Sequence, residues 1–368
     1  MVNDTRPLGM LARMQQATRL TRTGRLHDAT ALIQRTLRGV REEDDALRSE
    51  TAAHTATPTR VASTVVRTER TGGAGPASPT PGPATAASGR FVAESLTTRA
   101  GTRSYKVFVP GAASGVAMPL LVMLHGCTQD ADDFAVGTRM NALAERHGFV
   151  VAYPEQATQA NPSRCWNWFD PADQRRDRGE PSLIADIART VMASADVDPS
   201  RVHVVGMSAG GAMAATLGMV YPDLFAAIGV HSGLAHGVAV DLPSALQAMK
   251  DGGAGATPAG PGTPTIVFHG DRDRTVHRGN AEQVLRQATA HVPHPLLTVH
   301  ERAGAAGRDA TRYVYRTPDG RTIAEGWSVH GLGHAWSGGD PAGSHTDPAG
   351  PDASAEMLRF FGEHPRHG

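Results

Sequence analysis

Short apolar runs alternate with longer segments of helical period over residues 120–290. Runs at 120–124, 150–153, 202–205, 226–230 and 265–268 read as strands; segments 139–146, 182–194, 211–219 and 281–290 read as helices. Strand and helix in turn predict an α/β fold, a mostly parallel central sheet covered by helices on both faces. A patterned pair at 91–98 and 104–109 predicts an opening hairpin. A second pair, 311–315 and 322–327, flanks Pro318-Asp319-Gly320 and predicts antiparallel strands before a last loop; a helix over 354–361 closes the pattern.

The pattern differs upstream. Apolar residues recur at Leu8, Leu11, Met14 and Ala17, then at Leu26, Ala29, Ile33, Leu37 and Val40, with Gly24 between the sets, predicting two amphipathic helices within an extension of residues 1–45. Residues 46–90 fall into Ala, Thr, Pro, Gly and Ser and read as a flexible linker; the catalytic domain is expected over 91–368. The glycine-rich insert at 251–262 reads as a surface loop.

Charge changes this picture little. The 36 basic and 36 acidic residues balance, so no overall field favours nucleic acid. Residues 1–41 are locally basic, with eight arginines against Asp4 and Asp28. No charged-then-apolar leader follows Met1, and the run at 120–124 is too short to span a bilayer, so a cytoplasmic protein without a transmembrane segment is expected. Two cysteines, Cys127 and Cys165, exclude a disulfide scaffold and a cysteine zinc site; they could pair or remain free thiols.

The candidate chemistry starts at Gly206-Met207-Ser208-Ala209-Gly210, placed between a strand and a helix, the context of a nucleophile elbow. There a serine sits on a sharp bend with its hydroxyl exposed, and the glycines spare neighbouring backbone a clash. The alternative for Ser208 is an ordinary helix N-cap. A serine hydroxyl needs a histidine base and an acid to orient it; in the α/β-hydrolase fold these follow in the order Ser, Asp or Glu, His. The run 265–268 ends in His269-Gly270-Asp271-Arg272-Asp273-Arg274-Thr275-Val276, and Asp273 is the expected acid, with Asp271 a turn or cap residue. His334, in Gly331-Leu332-Gly333-His334-Ala335-Trp336, is the expected base, and His330 the structural histidine. The oxyanion donors are expected from the N–H groups of Ala209 and of Cys127, the latter in His125-Gly126-Cys127-Thr128-Gln129, where His125 braces the loop. Trp166, Trp168 and Trp336 fall in the same loops, either lining a substrate cleft or packing in the core.

These motifs, with Cys165-Trp166-Asn167-Trp168 and Asp347-Pro348-Ala349-Gly350-Pro351-Asp352-Ala353-Ser354, resemble the poly(3-hydroxybutyrate) depolymerase family of esterases over residues 91–364. The resemblance implies a serine hydrolase with Ser208, Asp273 and His334 as triad, an ester substrate, and no metal or organic cofactor. It is closest to unexported members acting on storage granules, for which the amino-terminal helices would hold the enzyme at the polymer surface. The alternatives are a short-chain, feruloyl or acetylxylan-type esterase and, from another class, a non-catalytic granule-binding protein.

Overall fold

The computed structural model describes residues 89–111, 115–253, 260–302 and 307–366. The predicted extension, nearly all of the linker and residues 254–259 of the glycine-rich insert lie outside the described residues.

The strands are β1 (Arg90–Thr98), β2 (Gly101–Val109), β3 (Met118–Leu124), β4 (Val150–Pro154), β5 (Val197–Met207), β6 (Ala227–His231), β7 (Thr265–Gly270), β8 (Leu296–Arg302), β9 (Ala310–Arg316), β10 (Thr322–Val329), β11 (Trp336–Ser337) and β12 (Thr346–Asp347). The helices are α1 (Ala131–Thr138), α2 (Met140–His147), α3 (Gly179–Ser194), α4 (Ala209–Val220), α5 (Leu242–Asp251), α6 (Gly279–Thr289) and α7 (Ala353–Gly362). Ten strands form one sheet in the order β1-β2-β4-β3-β5-β6-β7-β10-β9-β8. The six from β4 to β10 run parallel, and antiparallel pairs stand at both edges.

The alternation of β3 shows why the sheet is covered twice. Leu120, Val122 and Leu124 enter one apolar cluster with Ile184 and Ile187 of α3 and Met213 of α4. Leu121 and Met123 enter another with Phe134 of α1, Met140 of α2 and Phe360 of α7. These five side chains are at most 2% exposed, as expected of a parallel strand with helices on both faces, which leaves no place for a polar side chain.

Several elements depart from the expectations, the short pair β11 and β12 among them. Strand β8 and helices α1 and α5 were not anticipated: β8 is an edge strand with Leu296, Leu297 and Val299 about half exposed, so it lacks the alternation of a half-buried strand. Helix α4 starts two residues before the expected 211, directly after Ser208, which tightens the turn at the elbow.

Candidate active site

Ser208 stands between β5 and α4 with φ 56° and ψ −120°, a left-handed bend in a residue with a β-carbon. Such strain persists where the surroundings over-determine it. The flanking glycines show how they do so here. A β-carbon at Gly206 would stand 2.2 Å from Gly210 O, and one at Gly210 would stand 2.1 Å from Leu124 O and 2.6 Å from His125 O. The elbow is thus packed, backbone on backbone, against the carboxyl end of β3. The Ser208 N–H donates to His231 O at 2.9 Å, and although Ser208 precedes α4 its side chain makes no capping bond to that helix, unlike an ordinary N-cap serine.

The loop after β7 brings both of its carboxylates to histidines. Asp273, with a fully buried side chain, accepts from His334 Nδ1 at 2.7 Å through Oδ2 and from the N–H groups of Thr275 and Val276 at 2.9 Å each through Oδ1. Burial raises its pKa, but the His334 hydrogen bond and charge, the His269 charge and the Val276 N–H outweigh that and leave it lowered, so the group is a carboxylate. Because a carboxylate only accepts, His334 Nδ1 carries the proton, and in the neutral ring Nε2 is the acceptor. Asp271 accepts from His330 Nδ1 at 3.1 Å and from the Gly331 N–H at 2.7 Å, and His330 Nε2 meets Thr311 Oγ1 at 3.0 Å. Asp271 is therefore a brace between loops as well as a turn residue.

His231, at the end of β6, was not singled out from the sequence. Its carbonyl holds the Ser208 N–H, and its ring accepts the Ser337 N–H through Nε2 at 3.0 Å while stacking on Trp336 at 4.8 Å. One buried residue, through its carbonyl and its ring, therefore ties the elbow to the strand that follows His334. Burial lowers its pKa to about 3, which keeps the ring neutral and able to accept. A histidine at the carboxyl ends of β6 and β7, and just beyond β3, was the available signal, since sites of open α/β sheets lie there.

The oxyanion candidates lie on either side of this elbow. A β-carbon at Gly126 would be 3.7 Å from Ser208 Cβ, which places Cys127 beside the serine; Ala209 follows it in the chain. No loop or cap hydrogen bond of the described residues consumes the Cys127 or Ala209 N–H. Thr128, with φ 69°, turns the chain sharply after Cys127, and its N–H is fixed to Ser163 O at 2.7 Å. Cys127 and Cys165 are joined by a disulfide, their α-carbons 4.2 Å apart. His125 is buried with Nδ1 donating to Gly126 O at 2.8 Å and Nε2 accepting from the Gln156 N–H at 3.0 Å, a bracing role.

The tryptophans are corrected by the structure. Trp166, Trp168 and Trp336 are 0%, 6% and 1% exposed, too little to line a substrate cleft. Trp166 Nε1 donates to His125 O at 3.1 Å and Trp336 Nε1 to Ser354 Oγ at 3.1 Å; Trp168 packs edge-on against Phe169. They hold the site loops in place from beneath. Among the described residues no group of three or more His, Cys, Asp or Glu is arranged to hold a metal, and no helix is long and apolar enough to cross a membrane.

A strained serine between strand and helix, with an Asp–His pair from later loops of a mostly parallel sheet, defines the α/β-hydrolase class. Within that class, the family model described as Esterase PHB depolymerase matches residues 103–309, more than half of the chain, and the chain belongs to that family. It is 32% identical over 230 residues to poly(3-hydroxyalkanoate) depolymerase C of Paucimonas lemoignei, covering 59% of this chain and 54% of that one. It is 36% identical over 143 residues to feruloyl esterase B of Neurospora crassa, covering 39% and 44%. The chain thus spans about half the length of these curated relatives. An acetyl xylan esterase from Aspergillus awamori superposes with TM-score 0.56 at 19% identity, over 74% of this chain and 99% of that one, a likeness of fold.

Proposed function

We propose that this protein hydrolyses carboxylic esters through an acyl-enzyme on Ser208, with a poly(3-hydroxybutyrate) chain or its oligomers as substrate. The observation that carries the reading is the 2.7 Å bond from His334 Nδ1 to the buried, ionised Asp273, on the loops that His231 ties to the strained Ser208 elbow.

In this scheme His334 Nε2 takes the Ser208 proton as Oγ attacks the ester carbonyl carbon. The Cys127 and Ala209 N–H groups hold the resulting oxyanion. The tetrahedral adduct collapses, the C–O bond to the alcohol breaks, and His334 returns the proton to the leaving oxygen. Water, deprotonated by His334, then attacks the acyl-enzyme and releases the acid with Ser208 restored. Every proton is shuttled by one imidazole, whose cation Asp273 stabilises.

The 3-hydroxybutyrate substrate is favoured over a feruloyl ester by the buried tryptophans, which leave no indole face in these loops on which an aromatic acyl group would stack. The granule-bound, cytoplasmic setting rests on the basic amphipathic extension. The Cys127–Cys165 bond argues against it, since disulfides persist in oxidising compartments. A chain beginning at Phe91 that binds granules as well as the full chain would remove the extension from the proposal. The test of function is release of 3-hydroxybutyrate from amorphous granules by the full chain, beside p-nitrophenyl butyrate and methyl ferulate. Ser208→Ala should abolish release while leaving folding intact. Turnover retained in that variant places the nucleophile elsewhere, and cleavage of the small esters alone moves the substrate to a short-chain ester.

A further inference from the structure

Behind the Cys127 loop lies a buried carboxylate that the hydrolytic scheme does not use. Glu180, in the first turn of α3, is 4% exposed, and burial together with the neighbouring Asp173 carboxyl pushes its pKa up to about 7. A group so costly to bury is retained where it satisfies donors that nothing else can reach. Its Oε2 accepts the Asn167 N–H at 2.7 Å; its Oε1 accepts Asn167 Nδ2 at 2.8 Å and also Gln156 Nε2. Both partners belong to the segment from 155 to 170, which has no helix or strand of its own to pair its backbone.

From Glu180 the contacts converge on one place. Gln156 Nε2 also donates to Cys165 O at 2.9 Å, and the Gln156 N–H donates to His125 Nε2 at 3.0 Å. Trp166 Nε1 donates to His125 O at 3.1 Å, and His125 Nδ1 to Gly126 O at 2.8 Å. Cys165 is bonded to Cys127 itself. Two routes thus run from the Glu180 carboxylate to the peptide that presents the Cys127 N–H: one of hydrogen bonds through Gln156 and His125, the other through the hydrogen-bonded segment 156–167 to Cys165 and its disulfide.

We infer that Glu180 is a positioning residue for the oxyanion site: it fixes segment 156–167 and, through His125 and the Cys127–Cys165 bond, the direction in which the Cys127 N–H points. The inference rests on the acyl-enzyme reading and deepens it. It requires that loosening Glu180 weaken the transition state more than the bound substrate, because an oxyanion donor acts fully only on the developing charge.

Glu180→Gln tests this with little change of volume. The carboxamide keeps Oε1 as acceptor but turns an NH2 toward the Asn167 N–H, setting donor against donor. Kinetics of the full chain on p-nitrophenyl butyrate, with inhibition by butylboronic acid as a tetrahedral probe, give the readouts. Removal of one oxyanion donor lowers kcat by about 100- to 1000-fold, so misdirecting one should lower kcat by roughly tenfold, leave KM within about twofold, and weaken the boronate Ki by the same factor as kcat/KM. Combined with Cys165→Ser, the loss should be smaller than the product of the single losses, since both variants release the same peptide. Glu325→Gln serves as control: that carboxylate is 1% exposed, paired with Arg312 and Arg359, and sits opposite Ile266, four residues before the end of β7. It should lower the unfolding midpoint and leave kcat and Ki unchanged.

Wild-type kcat and boronate Ki in Glu180→Gln would overturn the inference, as would an equal loss of both in the Glu325→Gln control. If Glu180→Gln does not fold, Gln156→Met, which deletes the donor to Glu180 and Cys165, is judged by the same criteria. Activity that survives Ser208→Ala would instead overturn the acyl-enzyme reading, whatever the Glu180 variants do.

Discussion

The loop after β7 offers two carboxylates, each on its own histidine, and a pair of asparagine variants separates them. In Asp273→Asn, the amide oxygen can keep the Thr275 and Val276 N–H groups now on Oδ1, so the turn survives. The NH2 then occupies the place of Oδ2, 2.7 Å from His334 Nδ1, and being only a donor forces that nitrogen to accept. The proton moves to Nε2, which in the proposed scheme can then no longer take the Ser208 proton. Loss of the right tautomer with geometry retained costs a serine triad about 10⁴ in kcat, on the order of 5 kcal/mol of transition-state stabilisation. Asp271→Asn loses a bond to His330, whose side chain is 42% exposed, and keeps an acceptor for the Gly331 N–H. A hydrogen bond of that kind is worth about 1 kcal/mol, so kcat should fall by less than roughly tenfold. Steady-state hydrolysis of p-nitrophenyl butyrate by both variants, with near-ultraviolet dichroism to confirm folding, gives the answer. A mild Asp273→Asn beside a crippled Asp271→Asn would refute the assignment and move the acid to the His330 side.

Other consequences follow from groups away from the reacting atoms. His203 is buried and stacked on Phe361 at 4.7 Å, and burial lowers its pKa to about 3. Its folded pKa lies below the unfolded 6.5, so the unfolded chain takes up the proton first and stability falls as pH drops from about 6.5 toward 3. At pH 4.5 this amounts to about 3 kcal/mol. His203→Phe keeps the stacking and should gain about that much at pH 4.5 relative to its difference from wild type at pH 7.5 in urea unfolding; equal differences at the two pH values would contradict the linkage. Gly210→Ala places a β-carbon 2.1 Å from Leu124 O, backbone that cannot swing aside. It should cost at least about 3 kcal/mol in the same assay, and a loss under about 1 kcal/mol would show the elbow to be less tightly packed than described.

The parts of the fold that were legible have one-dimensional signatures. Apolar runs of four or five residues gave β3, β4, β5, β6 and β7, and Pro318-Asp319-Gly320 gave the turn between β9 and β10, because strand and turn chemistry is local. The spacing of Asp273 after Gly270 also had a local cause: two N–H groups of the same turn bind its Oδ1 and aim Oδ2 outward to His334. Strand β8 was hidden because an edge strand needs only one partner and no buried face. His231 and Glu180 were hidden because their roles lie in contacts 106 residues away for His231 with Ser337 and 13 and 24 residues away for Glu180 with Asn167 and Gln156.

The tryptophans show where a reading of loops goes astray. Sequence assigns a residue to a loop but not to a side of it, and an indole in a site loop can face the ligand or the scaffold with equal local propriety. What decides is the N–H, which must find an acceptor if the ring is buried. Trp166 finds His125 O, fastening a segment with no ladder of its own, and Trp336 finds Ser354 Oγ, fastening the two-residue strand β11 to the start of α7. The same logic accounts for the buried histidines His125 and His231, each neutral, each taking a backbone N–H with one ring nitrogen. A strained serine and a correctly aimed oxyanion peptide need rigid support, and in this chain that support is drawn from large amphipathic side chains lodged beneath the loops. Substitutions at Trp166 or His125 should therefore register in kcat through the geometry of the Cys127 peptide rather than in KM through lost substrate contact.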